Sequence, residues 1–264
     1  MRAPRKKLYV MIIGNHSAGK SSFINWYIGD KLQKTNVSIE TIEINIIMHG
    51  SKETELAGYN VTKLHPFMKE LYDKKTKTER FPGLLSNLSV KTSTSKLRHF
   101  DQIVFIDTPG LADGNLRYKF KVDDVYEWFA KHCDMILVFL DPIGQALCQK
   151  TNDLVAKLMT QQTDIRFYMT KGDMFSSYED QMKCMVQITQ TLSTRVKASH
   201  GFEMPVIYIP EKAMKMSGTH LLPQNGLPEL AELLQKKLGI KVQDNLTKFK
   251  LDIQMLKKGA KSLK

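Results

Sequence analysis

The stretch Gly14–Ser21 reads GNHSAGKS and decides how the rest of this 264-residue chain is interpreted. It fits the pattern G-x-x-x-x-G-K-[ST], whose glycines let the backbone curl so that successive amide groups face a phosphate. The apolar run Leu8–Ile13 comes directly before it, and the periodic segment Ser22–Ile28 follows. This is the strand, loop and helix context that the pattern requires, so the sequence predicts a phosphate-binding loop at a helix N-terminus.

The residue types of the loop suggest individual roles. Lys20 can reach the β- and γ-phosphates of a nucleotide, and the Ser21 hydroxyl can hold Mg²⁺. His16 can donate a hydrogen bond to water, so it joins Lys20 as a candidate for catalysis. The predicted nucleotide-binding residues of the loop are Gly14, Asn15, His16, Ser17, Ala18, Gly19, Lys20, Ser21 and Ser22.

A second motif, Asp107–Gly110 (DTPG), directly follows the apolar run Ile103–Ile106. Asp107 would hold Mg²⁺ through water, and the Gly110 amide could contact a γ-phosphate. The segment Leu111–Lys119 would then be a switch that orders when a triphosphate is bound. D-x-x-G alone is a weak pattern, but its position after a phosphate-binding loop makes it informative.

A threonine between these two motifs is expected to complete the metal site. The polar segment Gln33–Thr41 lies there, and Thr41 is the preferred candidate to coordinate Mg²⁺ and position water. Thr35 and Ser38 remain alternatives. The predicted metal ligands are therefore Ser21, Thr41 and Asp107.

A third motif, Thr170–Asp173 (TKGD), follows the apolar run Ile165–Met169 and fits [NT]-K-x-D. A carboxylate can accept two hydrogen bonds from a guanine edge, whereas adenine lacks the 2-amino group and has an acceptor at N1. A buried polar group without a partner costs about 1–3 kcal/mol, so such a pair discriminates between the bases. Thr170, Lys171 and Asp173 are the predicted base-binding residues, and GTP is the expected nucleotide, with ATP as the alternative.

Strand-like and helical patterns alternate along the chain, which predicts an α/β fold of the P-loop nucleoside triphosphatase type, with a mostly parallel central sheet flanked by helices. Ligands then bind at the carboxyl ends of the strands. The strand-like runs are Leu8–Ile13, Ile42–Met48, Ile103–Ile106, Met135–Leu140, Ile165–Met169 and Val206–Ile209. The helical patterns between the later ones are Val122–His132, Ala146–Leu158 and Tyr178–Lys197.

The chain divides into a nucleotide-binding domain, residues 1–210, with an insertion near residues 50–100, and a short C-terminal helical appendage, residues 211–264. Pro228–Leu238 is predicted as one helix that stops at Gly239. A second helix would carry an apolar seam, which we expect to dock on the main domain, with a partner helix or a membrane surface as alternatives. The seam residues are Val242, Leu246, Phe249, Ile253 and Leu256.

Composition narrows the classes of partner and compartment. The net charge is +12, and residues 240–264 carry seven lysines against two aspartates, which favours acidic partners. A nucleotide and an anionic membrane surface are expected, whereas nucleic acid is not, since charge alone supports it without a motif. The six-residue run Leu8–Ile13 leads straight into the loop and is too short for a signal peptide, so we expect a cytoplasmic protein with peripheral membrane contact. Cys133, Cys148 and Cys184 lack metal-site spacing and are expected as reduced thiols.

Together these motifs resemble the dynamin superfamily of large GTPases, and within it the Eps15-homology-domain ATPases and the related sarcalumenin branch. The likeness covers about residues 8–210, and the spacing of Thr41 from Lys20 suits the switch threonine of dynamins. The segments that carry it are Gly14–Ile24, Ile47–Gly50, Phe105–Gly110, Tyr126–Ala130, Asp134–Phe139 and Thr170–Met174.

The resemblance implies nucleotide-dependent assembly on membranes, with catalysis stimulated when nucleotide-binding domains pair, and hence a homodimer through that domain. It also includes a branch that uses ATP despite an [NT]-K-x-D motif, and one member type has Met after the Asp, as at Met174. The chain departs from dynamins proper at His16, where they carry a water-orienting Gln. The long helical stalk of the family corresponds here only to the C-terminal helical segments.

Two functional hypotheses from different classes follow. The first is a switch that slowly hydrolyses GTP or ATP, and the second is a nucleotide-dependent scaffold that turns over little and works through assembly. A P-loop kinase would explain Gly14–Ser21 but leaves Thr170–Asp173 without a role.

Overall fold

The computed structural model describes residues 7–34, 43–64, 66–111, 118–142, 148–160, 164–195, 203–211 and 222–262. Its strands are β1 (Leu8–Gly14), β2 (Ile44–His49), β3 (Thr54–Ala57), β4 (Tyr72–Asp73), β5 (Thr78–Glu79), β6 (Leu88–Ser93), β7 (Ile103–Asp107), β8 (Met135–Leu140) and β9 (Ile165–Met169). Seven of them form a central sheet in the order β3-β6-β2-β7-β1-β8-β9, and β4 and β5 form a separate hairpin. The pairs β6–β2, β7–β1, β1–β8 and β8–β9 are parallel, whereas β3–β6 and β2–β7 are antiparallel.

Helices cover both faces of this sheet. They are α1 (Lys20–Ile28), α2 (Val122–Ala130), α3 (Gln149–Met159), α4 (Tyr178–Arg195) and α5 (Leu227–Ser262). Helices α1 and α5 contribute to one apolar core and α2, α3 and α4 to the other. The mostly parallel α/β architecture predicted from the alternating patterns is therefore confirmed.

Strand β1 illustrates why the sheet is covered on both sides. Tyr9, Met11 and Ile13 belong to one core, while the alternating residues Leu8, Val10 and Ile12 belong to the other. A strand with both faces buried reads as a continuous apolar run, as the parallel strands of covered sheets do. The predicted strand Val206–Ile209 is reduced to a single bridge between Met169 and Val206.

The stretch predicted as an insertion, residues 50–100, is only partly one. Strands β3 and β6 both belong to the central sheet, because β6 pairs in parallel with β2 and in turn carries β3 at the sheet edge. The part between them, which includes the β4–β5 hairpin, lies outside the sheet. It still contributes to the core through Val61, Met68 and Leu71, which are buried.

The C-terminal region corrects the expectation of two helices. Helix α5 is continuous from Leu227 to Ser262, so Gly239 lies inside it, and Gly239 is not among the glycines with positive φ that could end a helix. Asn225 caps the start, since its side-chain oxygen accepts from the Leu227 amide at 3.1 Å. An interior glycine costs a helix only about 1 kcal/mol relative to alanine, and contacts on either side of Gly239 offset that cost.

Those contacts anchor the first half of α5 to the central sheet and the core on one of its faces. Leu230, Leu234 and Leu238 are buried in the core that α1 also lines. Lys237 forms an ion pair with Asp164, and Lys241 forms one with Asp134. These aspartates stand immediately before β9 and β8, respectively, so the helix is held at the amino ends of two adjacent strands of the sheet.

The expectation that the seam of Val242, Leu246, Phe249, Ile253 and Leu256 docks on the domain is wrong. All five side chains are exposed, Leu246 at 60%, Phe249 at 59% and Leu256 at 74%. Among the described residues, therefore, the seam is not covered by the rest of the fold. We call residues 242–262 the arm. Across the described ranges, no helix combines the length and apolar character that crossing a membrane demands.

Two leucines of α5 test whether its first half is packed against the domain and the arm is not. Leu234 is fully buried and Leu246 is 60% exposed. We expect Leu234→Ala to lower the free energy of unfolding by about 2–5 kcal/mol, because it leaves a cavity in the core. Leu246→Ala should change it by less than about 0.5 kcal/mol. Urea denaturation of the two variants measures both values, and equal losses would show that the arm is docked after all.

Candidate nucleotide-binding site

The predicted phosphate-binding loop connects the end of β1 to the start of α1. A Cβ atom on Gly14 would lie 2.2 Å from the Phe139 carbonyl oxygen, so only glycine allows β1 and β8 to approach this closely. Gly19 adopts a left-handed conformation (φ 82°), and α1 begins at the next residue. The first turn of α1 contains no acidic residue, which leaves the positive end of the helix dipole open to an anion.

The Lys20 side chain folds back over this loop. Its Nζ donates to the carbonyl oxygens of Gly14 (3.2 Å) and Asn15 (2.9 Å). Burial lowers the pKa of Lys20 to about 8, and the nearby Asp107 opposes that shift only in part. An ammonium group held in this cradle is therefore undercompensated, and an anion placed there would stabilise its charged form.

Asp107, at the end of β7, lies beside Ser21. The Ser21 hydroxyl donates to Asp107 Oδ2 at 2.6 Å, while Asp107 Oδ1 is buried without a hydrogen-bond partner. Burial raises the pKa of Asp107, against the influence of Lys20 and of its own hydrogen bonds. A hydroxyl and a carboxylate are oxygen ligands of the type that Mg²⁺ prefers, and the unpartnered oxygen fits a site that takes up a cation.

The D-x-x-G motif is hydrogen-bonded to the phosphate-binding loop. The Leu111 amide donates to the Gly14 carbonyl, and the His16 amide donates to the Leu111 carbonyl, both at 3.1 Å. A Cβ on Gly110 would lie 2.4 Å from the His16 Cα, so this position requires glycine. The start of the predicted switch thus touches the loop directly; residues 112–117 lie outside the described ranges.

Two tyrosines that the sequence analysis missed hold this turn. Tyr118 donates its phenolic hydrogen bond to the Gly110 carbonyl (2.7 Å), and Tyr126 donates to the Pro109 carbonyl (2.8 Å). Burial raises the pKa of Tyr126, so its hydroxyl stays a donor at neutral pH. Tyr118 lies in the predicted switch and Tyr126 in a segment that carries the family resemblance, but neither pattern indicates a contact with this turn.

Asn15 and His16 are fixed by different neighbours. Asn15 Oδ1 accepts from the Thr151 hydroxyl of α3 at 2.5 Å, while its Nδ2 is buried without a hydrogen-bond partner. The half-buried His16 ring has its Nδ1 2.9 Å from the Ser17 hydroxyl. Thr41, and the alternatives Thr35 and Ser38, lie outside the described residues.

The predicted base-binding motif follows β9 at the same edge of the sheet. Lys171 adopts a left-handed conformation (φ 56°), and its Nζ forms a 2.5 Å ion pair with Asp141, which is buried at the end of β8. Gly172 packs so tightly that a Cβ would lie 2.2 Å from Val206 Cγ1. Asp173 is half-buried, and its charge contributes, after burial, to raising the pKa of Tyr208.

The structure thus brings together the loop, Asp107 and Gly110 and places Thr170–Asp173 on the same side of the sheet, two strands away from β1. Within the part of the chain that is described, no three His, Cys, Asp or Glu side chains cluster as a metal site of their own. The contact residues that sequence reasoning missed are Gln33, Lys91, Tyr118, Tyr126, Asp141 and Thr151.

This combination of sheet, loop and D-x-x-G turn defines the P-loop nucleoside triphosphatase fold. The family model described as the dynamin family matches residues 10–173, which is more than half of the chain. The chain belongs to the dynamin family. It is a dynamin-type nucleotide-binding protein near the branch of the EH domain-containing proteins.

Individual relatives agree with this assignment. "EH domain-containing protein 2" of Arabidopsis thaliana is 28% identical over 177 residues, which cover 63% of this chain and 30% of the relative. The human protein of the same name is 23% identical over 186 residues, covering 66% of this chain and 32% of the relative. The chain therefore spans about a third of the length of these relatives.

A solved bacterial structure shares the fold. It is described as an oligomerised bacterial dynamin pair that provides a mechanism for long-range sensing and tethering of membranes. The match has a TM-score of 0.62 at 16% identity and covers 99% of this chain and 44% of the bacterial one.

The environment of Lys20 predicts a stability cost that depends on pH. Because burial lowers the pKa of Lys20 to about 8, the folded protein binds fewer protons than the unfolded chain between pH 8 and 10.5. The loss of stability caused by burying the charged Lys20 side chain is therefore largest below pH 8 and becomes smaller as the pH rises towards 10.5. We expect ligand-free Lys20→Met to be more stable than the unchanged protein by about 1–3 kcal/mol at pH 7 and by less than half of that at pH 9.5.

Urea denaturation at the two pH values measures this difference. Lys69→Met, which removes an exposed lysine, is the matched control and should show no such pH dependence. A Lys20→Met variant that is less stable at pH 7 would mean that the ammonium group carries no desolvation cost.

Proposed function

We propose that this chain is a dynamin-type switch that binds GTP with Mg²⁺ at Gly14–Ser22 and hydrolyses it slowly. One observation carries the proposal: Lys20, Ser21 and Asp107 converge at the ends of β1 and β7, with one buried oxygen of Asp107 left unpartnered. That arrangement supplies a cation and oxygen ligands at a helix N-terminus, which is the combination that a metal-bound nucleotide needs.

Each group in the site has a proposed role. Backbone amides of the loop would cradle the phosphates, and Lys20 would contact the β- and γ-phosphates. Ser21 and Asp107 would hold Mg²⁺, which when bound offsets charge on the phosphate oxygens. The backbone of Gly110 packs against that of His16, and the Gly110 amide would bind the γ-phosphate and so couple the following switch to the nucleotide.

Two further residues are proposed for hydrolysis. Thr41 would complete the metal site and place the attacking water, and His16 would donate a hydrogen bond to that water. Lys20 would stabilise charge that develops on the phosphate in the transition state.

Guanine is the proposed base, recognised by Asp173 with Thr170 and Lys171. The support is the half-buried position of Asp173. The neighbouring Lys171 forms its ion pair with Asp141, so its charge is not used to neutralise Asp173. ATP is the second candidate at the same site. It is favoured by Met174, the residue type that one ATP-using member type of the resembling branch carries after the Asp.

Nucleotide competition tests the site and the base together. We expect GDP to displace a labelled GTP far better than ADP, with Lys20→Ala abolishing binding through loss of the phosphate contact. Asp173→Asn should erase the preference for guanine, because an amide cannot accept from both guanine donors. Lys69→Met serves as the control for loss of one positive charge. Tighter binding of ADP by the unchanged protein would assign the site to ATP, and unaltered binding by Lys20→Ala would place it elsewhere.

Assembly through paired nucleotide-binding domains remains a prediction. The scaffold hypothesis requires little turnover at any concentration, whereas paired-domain catalysis requires specific activity that rises with protein concentration. Measuring turnover across a dilution series separates the two, and Thr41→Ala should lower turnover more than nucleotide affinity.

The exposed arm supports a second proposal, peripheral contact with an anionic membrane. Its seam presents Leu246, Phe249 and Leu256 to solvent, and Lys248 and Lys250 lie beside the seam in sequence. A helix with an apolar stripe and basic flanks lies in the membrane interface, and each lysine near an anionic surface is worth about 1 kcal/mol. The bacterial dynamin pair, described as sensing and tethering membranes, gives this proposal a structural precedent.

Vesicle co-sedimentation tests the arm. The doubly substituted Leu246→Asp/Phe249→Asp protein should lose binding to vesicles that contain phosphatidylserine, while its thermal stability stays unchanged because both positions are exposed. Thr247→Asp, an exposed position between them, is the matched control and should retain most of the binding. Equal binding by all three proteins would exclude the seam as the contact surface.

A further inference from the structure

Gln33 is a buried polar residue beside the proposed metal site; it begins the polar segment Gln33–Thr41, but no motif described above gives it a role. It is 5% exposed, and its amide Nε2 donates to Asp107 Oδ2 at 2.8 Å. Its Oε1 accepts from Lys91 Nζ at 3.1 Å. The side chain of Gln33 therefore bridges a carboxylate and an ammonium group.

The backbone of Gln33 is also held in place. Asn25 of α1 donates from Nδ2 to the Gln33 carbonyl oxygen at 2.7 Å and accepts at Oδ1 from the Gln33 amide at 2.8 Å. This paired contact fixes the residue against the helix that begins at the phosphate-binding loop. Gln33 thus reaches Asp107 from a defined position rather than from a freely rotating loop.

Lys91 fixes the orientation of the Gln33 side-chain amide. An ammonium group only donates hydrogen bonds and an ionised carboxylate only accepts them, so the amide must point its oxygen at Lys91 and its NH₂ at Asp107. Lys91 lies on β6, with its side chain 13% exposed and 3.8 Å from Glu55 on the neighbouring strand β3. The orienting charge therefore comes from β6, the strand next to the sheet edge, and not from the phosphate-binding loop.

The two carboxylate oxygens of Asp107 therefore differ: one accepts hydrogen bonds and the other has no partner among the described residues. Asp107 Oδ2 accepts from both Ser21 and Gln33, whereas Oδ1 is buried without a partner. Two donors on the same oxygen fix the rotation of the carboxylate, and the remaining oxygen keeps its lone pairs for another ligand. Among the described residues, Ser21 would be the only side chain left to hold the carboxylate without Gln33.

We propose that Gln33 and Lys91 are positioning residues for Mg²⁺, acting in series through Asp107, so that strand β6 sets the metal affinity of the site. The inference rests on the proposed function, since it assumes that Mg²⁺ and nucleotide bind here. Partners that orient a metal ligand typically change metal affinity by about 10- to 100-fold when removed. The hydrogen bonds of the two side chains go to Asp107 and to each other and not to the phosphate-binding loop, so nucleotide affinity without metal should be retained.

The experiment measures the dissociation constant of a fluorescent GDP derivative from EDTA to saturating Mg²⁺. The readout is the Mg²⁺ concentration at which half of the gain in affinity is reached. We expect Gln33→Met and Lys91→Met each to raise that concentration about tenfold. Lys91→Arg keeps a donor and should remain near the unchanged protein, as should Lys69→Met, which removes a charge from an exposed position. Affinity in EDTA should be similar for all of them, and this separates positioning from a general loss of structure.

The double variant Gln33→Met/Lys91→Met decides whether the two residues act in series. If Lys91 acts only by orienting Gln33, the double variant needs no more Mg²⁺ than Gln33→Met alone. An additional shift from Lys91→Met in the presence of Gln33→Met would overturn the serial arrangement. Unchanged Mg²⁺ dependence in both single variants would overturn the inference while leaving the proposed function intact. If the unchanged protein gains no affinity from Mg²⁺, the proposed function itself fails, and the inference with it.

Discussion

The position of β1 constrains everything else in this molecule. It is buried on both faces, pairs in parallel with β7 and β8, and ends at a glycine whose missing side chain lets the β8 backbone approach. The loop that follows must turn sharply, and the end of β7 lies beside it. The carboxyl ends of β1, β7, β8 and β9 lie at one edge of the sheet. The parallel strand order therefore places the phosphate-binding loop, Asp107, Asp141 and Thr170–Asp173 close together.

The site is built at some expense to the stability of the ligand-free fold. Burial makes the charged forms of Lys20 and Asp107 less favourable, and each only partly compensates the other. Asn15 Nδ2 and Asp107 Oδ1 are also buried without hydrogen-bond partners. Groups that are poorly satisfied in the free protein gain most from a ligand of matching charge, which is the usual relation between stability and function at a binding site.

The sequence predicted those features whose determinants are local. The phosphate-binding loop, the D-x-x-G turn and the alternation of strands and helices depend on neighbouring residues and periodicity, and the structure has them. Gln33 and Lys91 escaped notice because they lie 58 residues apart and meet only through the sheet. The prediction that a helix ends at Gly239 was wrong for a similar reason. The ion pairs on either side of Gly239 are made with Asp134 and Asp164, which are distant in sequence. No local pattern in the seam could reveal that its side chains are exposed, and Thr41 lies outside the described residues.

The two lysines that fasten α5 have a mechanical consequence. They hold it at the amino ends of β8 and β9, whereas the proposed nucleotide site lies at the carboxyl ends of those strands. Beyond Lys241 the helix continues for about 30 Å at 1.5 Å per residue. If the helix tilted by about 10° at these two ion pairs, its C-terminal end would move by about 5 Å. A displacement between strands that is too small to see in the core becomes a movement as large as a side chain at the far end.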